Sequence, residues 1–216
     1  MTNLVTLVSP DTPAAEAYRA LRLNLAFTSL DKPLEMVVVS SPGPNATKSS
    51  VAANLAVVAA QAGQQVVLVD GDLRRPHVHE LFGVAQEPGV TQVMLSHAAM
   101  GDLPLIETEV VGLRLLPAGA LPPNPADIVG SQKMAQLLAH VQSQADLVIV
   151  DAPPVTVAVD AAVLATHADG LLLVIRAGHT RRDRIEQAKL LLTRFEARLL
   201  GAVFTDSTEG GLLTGY

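Results

Sequence analysis

The chain contains no cysteine. Disulfides, iron–sulfur clusters and cysteine-based zinc sites are therefore excluded. Cationic charge is scarce as well: the formal net charge is −6, which argues against general nucleic-acid binding. Met1–Pro10 has no basic residue, and the first one is Arg19. The start thus lacks the charged region of a signal peptide. No run of about 18 apolar residues occurs, so no span of its own is expected and any membrane role has to come through a partner. The six histidines include His77 and His79. Around that pair there is no acidic or thiol set with zinc spacing, so no metal site is read there. Aromatic residues make up only 3% of the chain.

What is abundant is alanine, valine and leucine. Apolar residues reach 49% and charged residues 17%, the balance of a globular protein rather than a disordered one. With 216 residues the chain can bury one sizeable core. It reads as a single domain over residues 1–216, with a lead segment at 1–11 and a short Gly/Thr-rich tail at 207–216. Many small and β-branched residues with few aromatics suit parallel strands buried between helices.

Apolar runs predict strands at Glu35–Ser40, Gln65–Val69, Leu113–Leu116, Leu147–Val150, Gly170–Ile175 and Leu199–Thr205. Between them lie helical patterns. Thr12-Pro13 starts a helix to about Phe27, with Ala14, Tyr18, Leu21 and Leu25 on one face. Glu16, Arg19 and Arg22 recur on another side. Further helices are expected at Val51–Ala62, His77–Phe82, Val90–His97, Asp127–Gln142 and Asp160–Thr166. Thr180-x-x-Asp183 resembles a capping box opening the longest helix, to about Ala197. Alternating strands and helices imply an α/β fold with a mostly parallel sheet covered on both faces. Ligands of such sheets bind beyond the carboxyl ends of the strands.

Val37–Ser50 is the stretch that organises the rest. An apolar strand is followed by a Pro/Gly loop, and Lys48-Ser49 opens a long apolar helix. That layout is a phosphate-binding P-loop, where backbone N–H groups and a helix N-terminus cradle anionic oxygens. Lys48 would be a fixed positive charge for phosphate oxygens, and Ser49 a hydroxyl for Mg²⁺. Asp70, Asp72 and Asp151 also fall at strand ends. Mg²⁺ needs few protein ligands, so a hydroxyl and one or two carboxylates suffice. One of the pair Asp70 and Asp72 would help the metal and the other accept a proton from an attacking hydroxyl. A lone strand-end aspartate is most often a turn or cap residue. It is the convergence with Lys48-Ser49 that points to chemistry.

Val67-Leu-Val-Asp70-Gly-Asp72-Leu-Arg-Arg-Pro76 resembles the second Walker-type motif of the bacterial protein-tyrosine kinases of capsule and exopolysaccharide export. Four other segments agree in order. Glu16–Asn24 resembles that family's oligomerisation helix, and Leu115–Pro125 its Pro-rich loop. Asp146–Pro154 resembles its Walker B strand, and Ala168–Arg176 with Thr180-Arg181 a later strand and helix start. The resemblance implies a single-domain P-loop NTPase fold, ATP and Mg²⁺ as cofactors, and tyrosine phosphorylation between subunits. It implies catalytic roles for Lys48, Asp70 and Asp72, metal contacts from Ser49, Asp72 and Asp151, and nucleotide contacts from Gly43, Asn45, Thr47, Lys48, Ser49, Ser50, Arg176 and Thr205. Glu16, Arg19 and Arg22 match subunit-contact residues of a ring-type homo-oligomer. The implied partner is a membrane-anchored polysaccharide co-polymerase, which would hold the protein at the cytoplasmic face of the plasma membrane.

The chain departs from that pattern at three places. The family loop usually reads Pro-Gly-Glu-Gly-Lys-Ser; here it reads Pro44-Asn45-Ala46-Thr47-Lys48-Ser49. Thr47 replaces a residue that permits φ > 0, so backbone strain of about 1–3 kcal/mol is expected. Its methyl would also crowd a phosphate, weakening ATP roughly 10- to 100-fold. Phe204-Thr205 stands where relatives often place an adenine-recognising Asn. The tail holds one tyrosine, Tyr216, in place of a tyrosine cluster, leaving it as the candidate phosphoacceptor. Three functions follow: a weakened tyrosine kinase, a nucleotide-deficient scaffold regulating polysaccharide export by binding, and, less favoured, a Min/Par-type partitioning ATPase.

Overall fold

The structure is a computed structural model, described here for residues 4–28, 32–44, 47–96 and 101–207. Asn45 and Tyr216 lie outside the described residues, as does His97. The chain runs α1 (Val5–Val8), α2 (Pro13–Phe27), β1 (Met36–Ser40), α3 (Lys48–Gln61), β2 (Val66–Asp70), α4 (Val78–Phe82) and α5 (Val90–Leu95). It continues through β3 (Ile106–Glu107), β4 (Leu113–Leu116), α6 (Pro125–Val129), α7 (Gln132–Gln142), β5 (Leu147–Asp151), α8 (Asp160–Ala165), β6 (Gly170–Arg176), α9 (Arg182–Arg194) and β7 (Leu199–Thr205).

One seven-stranded sheet has the order β3-β4-β2-β5-β1-β6-β7. Every neighbouring pair is parallel except β3 with β4. Side chains alternate across it. Val37, Val39, Leu68, Ile149 and Leu172 face one core with α3. Val38, Val69, Val150 and Leu173 face the other, with α7, α8 and α9. The helix α3 is buried on nearly all sides, from Lys48 to Ala60 apart from Ser50. Such a helix is apolar all round because it has no solvent face. Gly63 at φ 91° then turns the chain into β2.

Several local expectations change. The stretch 127–142 is two helices, not one. The chain breaks at Gly130, and Ser131 caps α7 by accepting from the Met134 N–H at 3.2 Å. The capping box at Thr180 does not form. Arg181 is the N-cap of α9, and the Thr180 hydroxyl instead accepts from the Arg176 N–H at 2.9 Å. The longest helix is α2, with 15 residues against 13 in α9. On α2 the buried alanine is Ala15 rather than Ala14, while Tyr18, Leu21 and Leu25 pack inward as their spacing implies. The lead segment includes a docked turn. Leu4 is buried, and the Thr6 N–H and hydroxyl both donate to Asn54 Oδ1 on α3, at 3.1 and 2.8 Å. No helix among the described residues is long and apolar enough to cross a membrane.

Candidate functional site

Three strand ends meet at one point. In the register of the sheet Asp70 stands beside Asp151, and Asp151 beside Val39. The loop after β1 is tied to the loop after β5. The Ser40 hydroxyl donates to the Pro153 carbonyl at 2.7 Å, the Val155 N–H to the Ser41 carbonyl at 2.9 Å, and the Thr156 hydroxyl to the Pro42 carbonyl at 2.6 Å. Two prolines at 153–154 supply no donors of their own, so this zipper runs through Ser, Val and Thr.

Lys48 is the first residue of α3 and is 7% exposed. Its Nζ lies 2.9 Å from Asp72 Oδ2 and 3.2 Å from both carboxylate oxygens of Asp151. Ser49 Oγ donates to Asp151 Oδ2 at 2.5 Å. Burial works to lower the Lys48 ammonium, but Asp151 and Asp72 outweigh it and hold its pKa above the usual lysine value. Asp151 is fully buried, and burial raises its pKa against the opposing pull of Lys48 and Ser49.

The two aspartates of the Asp-Gly-Asp turn face different ways. Asp72 Oδ2 meets Lys48, and its Oδ1 accepts from the Arg74 and Arg75 N–H groups. Asp70 is committed to backbone: its oxygens accept from the N–H groups of Asp72, His77 and Val78 at 3.3, 3.1 and 3.0 Å. It ties the turn to the start of α4. Burial, then the neighbouring Asp151 charge, pushes Asp70 up to about 8 despite these donors. Gly71 has no substitute between them. A Cβ there would lie 2.9 Å from the Asp151 carbonyl oxygen and 2.9 Å from Val150 Cγ1.

Thr47 precedes the helix at φ −83° and ψ 37°. This is an ordinary φ for a β-branched residue, so the expected strain is absent. The α3 N-terminus carries the turn, and no left-handed residue is required at position 47. The Thr47 side chain makes no cap bond to the helix. Its hydroxyl donates instead to Thr205 Oγ1 at 3.1 Å, joining the loop to the end of β7. The N-cap side chain thus leaves the first turn of α3 uncapped, the arrangement that suits an anion.

Beside the loop, Gly43 and Pro44 line a cavity of about 340 Å³ with Arg176, His179, Thr180, Arg181 and Arg184. Arg176 Nε is 2.6 Å from Asp206 Oδ2. Ser50 is half-buried on α3, and its carbonyl accepts from Asn54 Nδ2. Glu16 and Arg19 pair at 2.8 Å on the outer side of α2. Arg22 lines a separate, mainly apolar cavity of about 280 Å³ with Leu25, Leu34 and Leu55. Tyr18 is packed against the core.

Sequence reasoning missed Asp160. This buried carboxylate at the start of α8 takes both Nε and Nη2 of Arg74, at 2.8 and 3.2 Å, and so fixes the loop after Asp72. The available signal was a lone Asp before an apolar helix, which reads equally as an N-cap.

Over residues 34–205 the chain matches the family described as "ParA: NUBPL iron-transfer P-loop NTPase". With no cysteine to hold an iron–sulfur cluster, the match bears on the P-loop architecture. The chain is 38% identical over 201 residues to tyrosine-protein kinase YwqD of Bacillus subtilis, covering 93% of this chain and 84% of that protein. It is 31% identical to tyrosine-protein kinase wzc of Salmonella typhimurium over 90% of this chain, which spans only 26% of that protein. The kinase domain of Escherichia coli tyrosine kinase ETK superposes with a TM-score of 0.90 at 29% identity, covering 100% of this chain and 86% of that one. The cell-division ATPase MinD of Pyrococcus furiosus has a TM-score of 0.66 at 22% identity, over 81% of this chain and 76% of that one. That last likeness is one of fold.

Proposed function

Since the chain belongs to the bacterial tyrosine-protein kinases, built on the ParA-type P-loop NTPase fold, we propose that it binds ATP with Mg²⁺ and phosphorylates tyrosine. The observation that carries this reading is the buried cluster of Lys48, Ser49, Asp72 and Asp151 at the carboxyl ends of the strands. Lys48 is the charge for the phosphate oxygens. Ser49, Asp72 and Asp151 form a hard-oxygen donor set of the kind Mg²⁺ takes, with water completing the shell. A cationic group already sits among them, so the position accommodates positive charge. Mg²⁺, when bound, supplies neutralisation of phosphate charge. Asp72, turned toward Lys48, belongs to the reacting side; Asp70 positions the turn that carries it.

Gly43, Asn45, Thr47 and Ser50 are assigned to the phosphate side of the nucleotide. Arg176 and Thr205, at the ends of β6 and β7, are assigned to its base side. Glu16, Arg19 and Arg22 are assigned to a subunit contact in a ring-type homo-oligomer, and Tyr216 to the phosphoacceptor. The proposed setting is capsule and exopolysaccharide biosynthesis, at the cytoplasmic face of the membrane through a membrane-anchored co-polymerase partner. The resemblance of the Pro-Pro-Asn-Pro loop and the α2 helix to that family supports this setting.

The test is transfer of labelled phosphate from ATP with Mg²⁺ to protein tyrosine, with the partner's activating segment present. Incorporation that disappears in Asp72→Asn is expected; no incorporation overturns the kinase reading. The second reading is a scaffold that regulates export by binding. The Thr47–Thr205 contact across the loop mouth favours it, and tight ATP–Mg²⁺ binding by calorimetry would count against it. A partitioning ATPase is less favoured, because MinD shares 22% identity while YwqD shares 38%.

A further inference from the structure

Lys48 makes contacts that a bound metal would need. Its ammonium lies 2.9 Å from Asp72 Oδ2, 3.2 Å from both Asp151 oxygens and 3.3 Å from Ser49 Oγ. Those three side chains are the ones assigned above to Mg²⁺. An ammonium and a divalent cation compete for the same lone pairs, and at such spacing they repel each other strongly in a buried site. Among the described residues no other cation makes an ion pair with either carboxylate. Arg74, the nearest in sequence, is committed to Asp160 through two contacts. Asp72 Oδ1 and Asp151 are otherwise satisfied by backbone N–H groups and by Ser49.

We propose that Lys48 is an internal counter-ion occupying the cation position between Asp72 and Asp151 in the nucleotide-free protein, and that a divalent metal enters only by exchange, as Lys48 moves to an incoming phosphate. The proposal rests on the nucleotide reading of the site and adds an order of events to it. Metal alone must displace a buried ammonium from the Asp72 and Asp151 carboxylates that it pairs with. Nucleotide alone must draw Lys48 away and leave two buried carboxylates unpaired, which is strongly unfavourable. Together each removes the other's obstacle. The two ligands therefore bind with positive coupling, and by linkage the coupling is the same in both directions.

The decisive measurement needs no nucleotide. Mn²⁺ is titrated into the full chain, wild type against Lys48→Met, by calorimetry or by the electron-paramagnetic signal of free Mn²⁺. Removing the ammonium is expected to tighten Mn²⁺ at least tenfold, and equal affinities overturn the proposal. Lys48→Gln gives the same comparison should the methionine variant not fold. A second readout uses the wild type labelled with ¹⁵N-lysine. The four lysines are Lys32, Lys48, Lys133 and Lys189, and Lys48 is the buried one. Its ammonium signal is expected to move with ADP and Mg²⁺ together, and only slightly with ADP in EDTA. A full shift with ADP in EDTA overturns the exchange. A protein that binds no nucleotide would sink the reading above yet leave the Mn²⁺ comparison intact, so the two failures are distinguishable.

Discussion

Lys48 and Thr47 are neighbours in the chain and opposites in setting. Lys48 is 7% exposed and has carboxylate oxygens of two residues within 3.2 Å. Thr47 is exposed, and its hydroxyl bonds to the half-buried Thr205. The first belongs to a floor of the site shared by α3, β2 and β5, the second to a rim shared by the loop and β7. On the floor each charge is held by several partners, so removing one strands the others in a low-dielectric interior. On the rim water replaces whatever is removed, so a change there acts on what binds and little on folding. The comparison predicts that stability tracks the floor and ligand selectivity the rim.

The largest effect expected from breaking this pattern is on the floor. Lys48→Met leaves Asp72 and Asp151 buried with no ammonium between them. It should cost about 3–5 kcal/mol in urea unfolding without metal. The loss should shrink as pH is lowered, because protonating a carboxylate relieves the unpaired charge. A variant within 1 kcal/mol of wild type at neutral pH would place the cluster's stability elsewhere.

A smaller effect separates Asp70 from its neighbours. Its carboxyl is raised to about 8 from an ordinary 3.8, so the folded state holds a proton that the unfolded chain loses. Below the unfolded value the stabilisation from that proton is fully present. It falls as pH rises through roughly 4 to 8, by about 1.4 kcal/mol per pH unit at most. Unfolding in EDTA from pH 5 to pH 8 should show this decline, and Asp70→Asn should flatten it. An unchanged slope in the variant would mean that the backbone donors at Asp72, His77 and Val78 keep Asp70 ionised throughout.

Which residues gather at the floor was legible in the sequence, and the backbone path around them was not, for physical reasons. A lysine and serine opening an apolar helix, with aspartates ending apolar strands, have few places to go: charged groups among buried strands have to find one another. The parallel sheet followed from the same runs. Three details were hidden because they depend on backbone path rather than residue type. The strain expected at Thr47 presumed a left-handed conformation that the chain does not adopt, since φ is −83°. The break at Gly130-Ser131 splits a stretch whose apolar spacing in α7 continues from Met134 to Val141, so that periodicity could not reveal it. Asp70 and Asp72 look equivalent in sequence, yet the tight turn at Gly71 sends one carboxylate to the start of α4 and the other to Lys48.

The smallest effect on folding, and the sharpest test of the rim, comes from Thr47 and Thr205. With no strained φ to relieve, Thr47→Gly should not stabilise the protein. It loses a hydroxyl contact and gains unfolded-state freedom, so a cost of about 0.5–1 kcal/mol is expected. What remains of the argument against ATP is the side chain itself, a methyl beside a hydroxyl that is bonded to Thr205 at the end of β7. If that bulk obstructs phosphate, Thr47→Gly binds ATP–Mg²⁺ roughly tenfold more tightly, equivalent to about 1.4 kcal/mol, while folding no better. A double-mutant cycle with Thr205→Ala separates bulk from clasp. Coupling of about 0.5 kcal/mol or more in ATP affinity would mean that the Thr47–Thr205 bond itself closes the mouth. Additive effects with Thr47→Gly still tighter would leave the methyl as the obstacle. Unchanged affinity in both single variants would show that the rim substitutions are tolerated, and that the floor alone sets nucleotide binding.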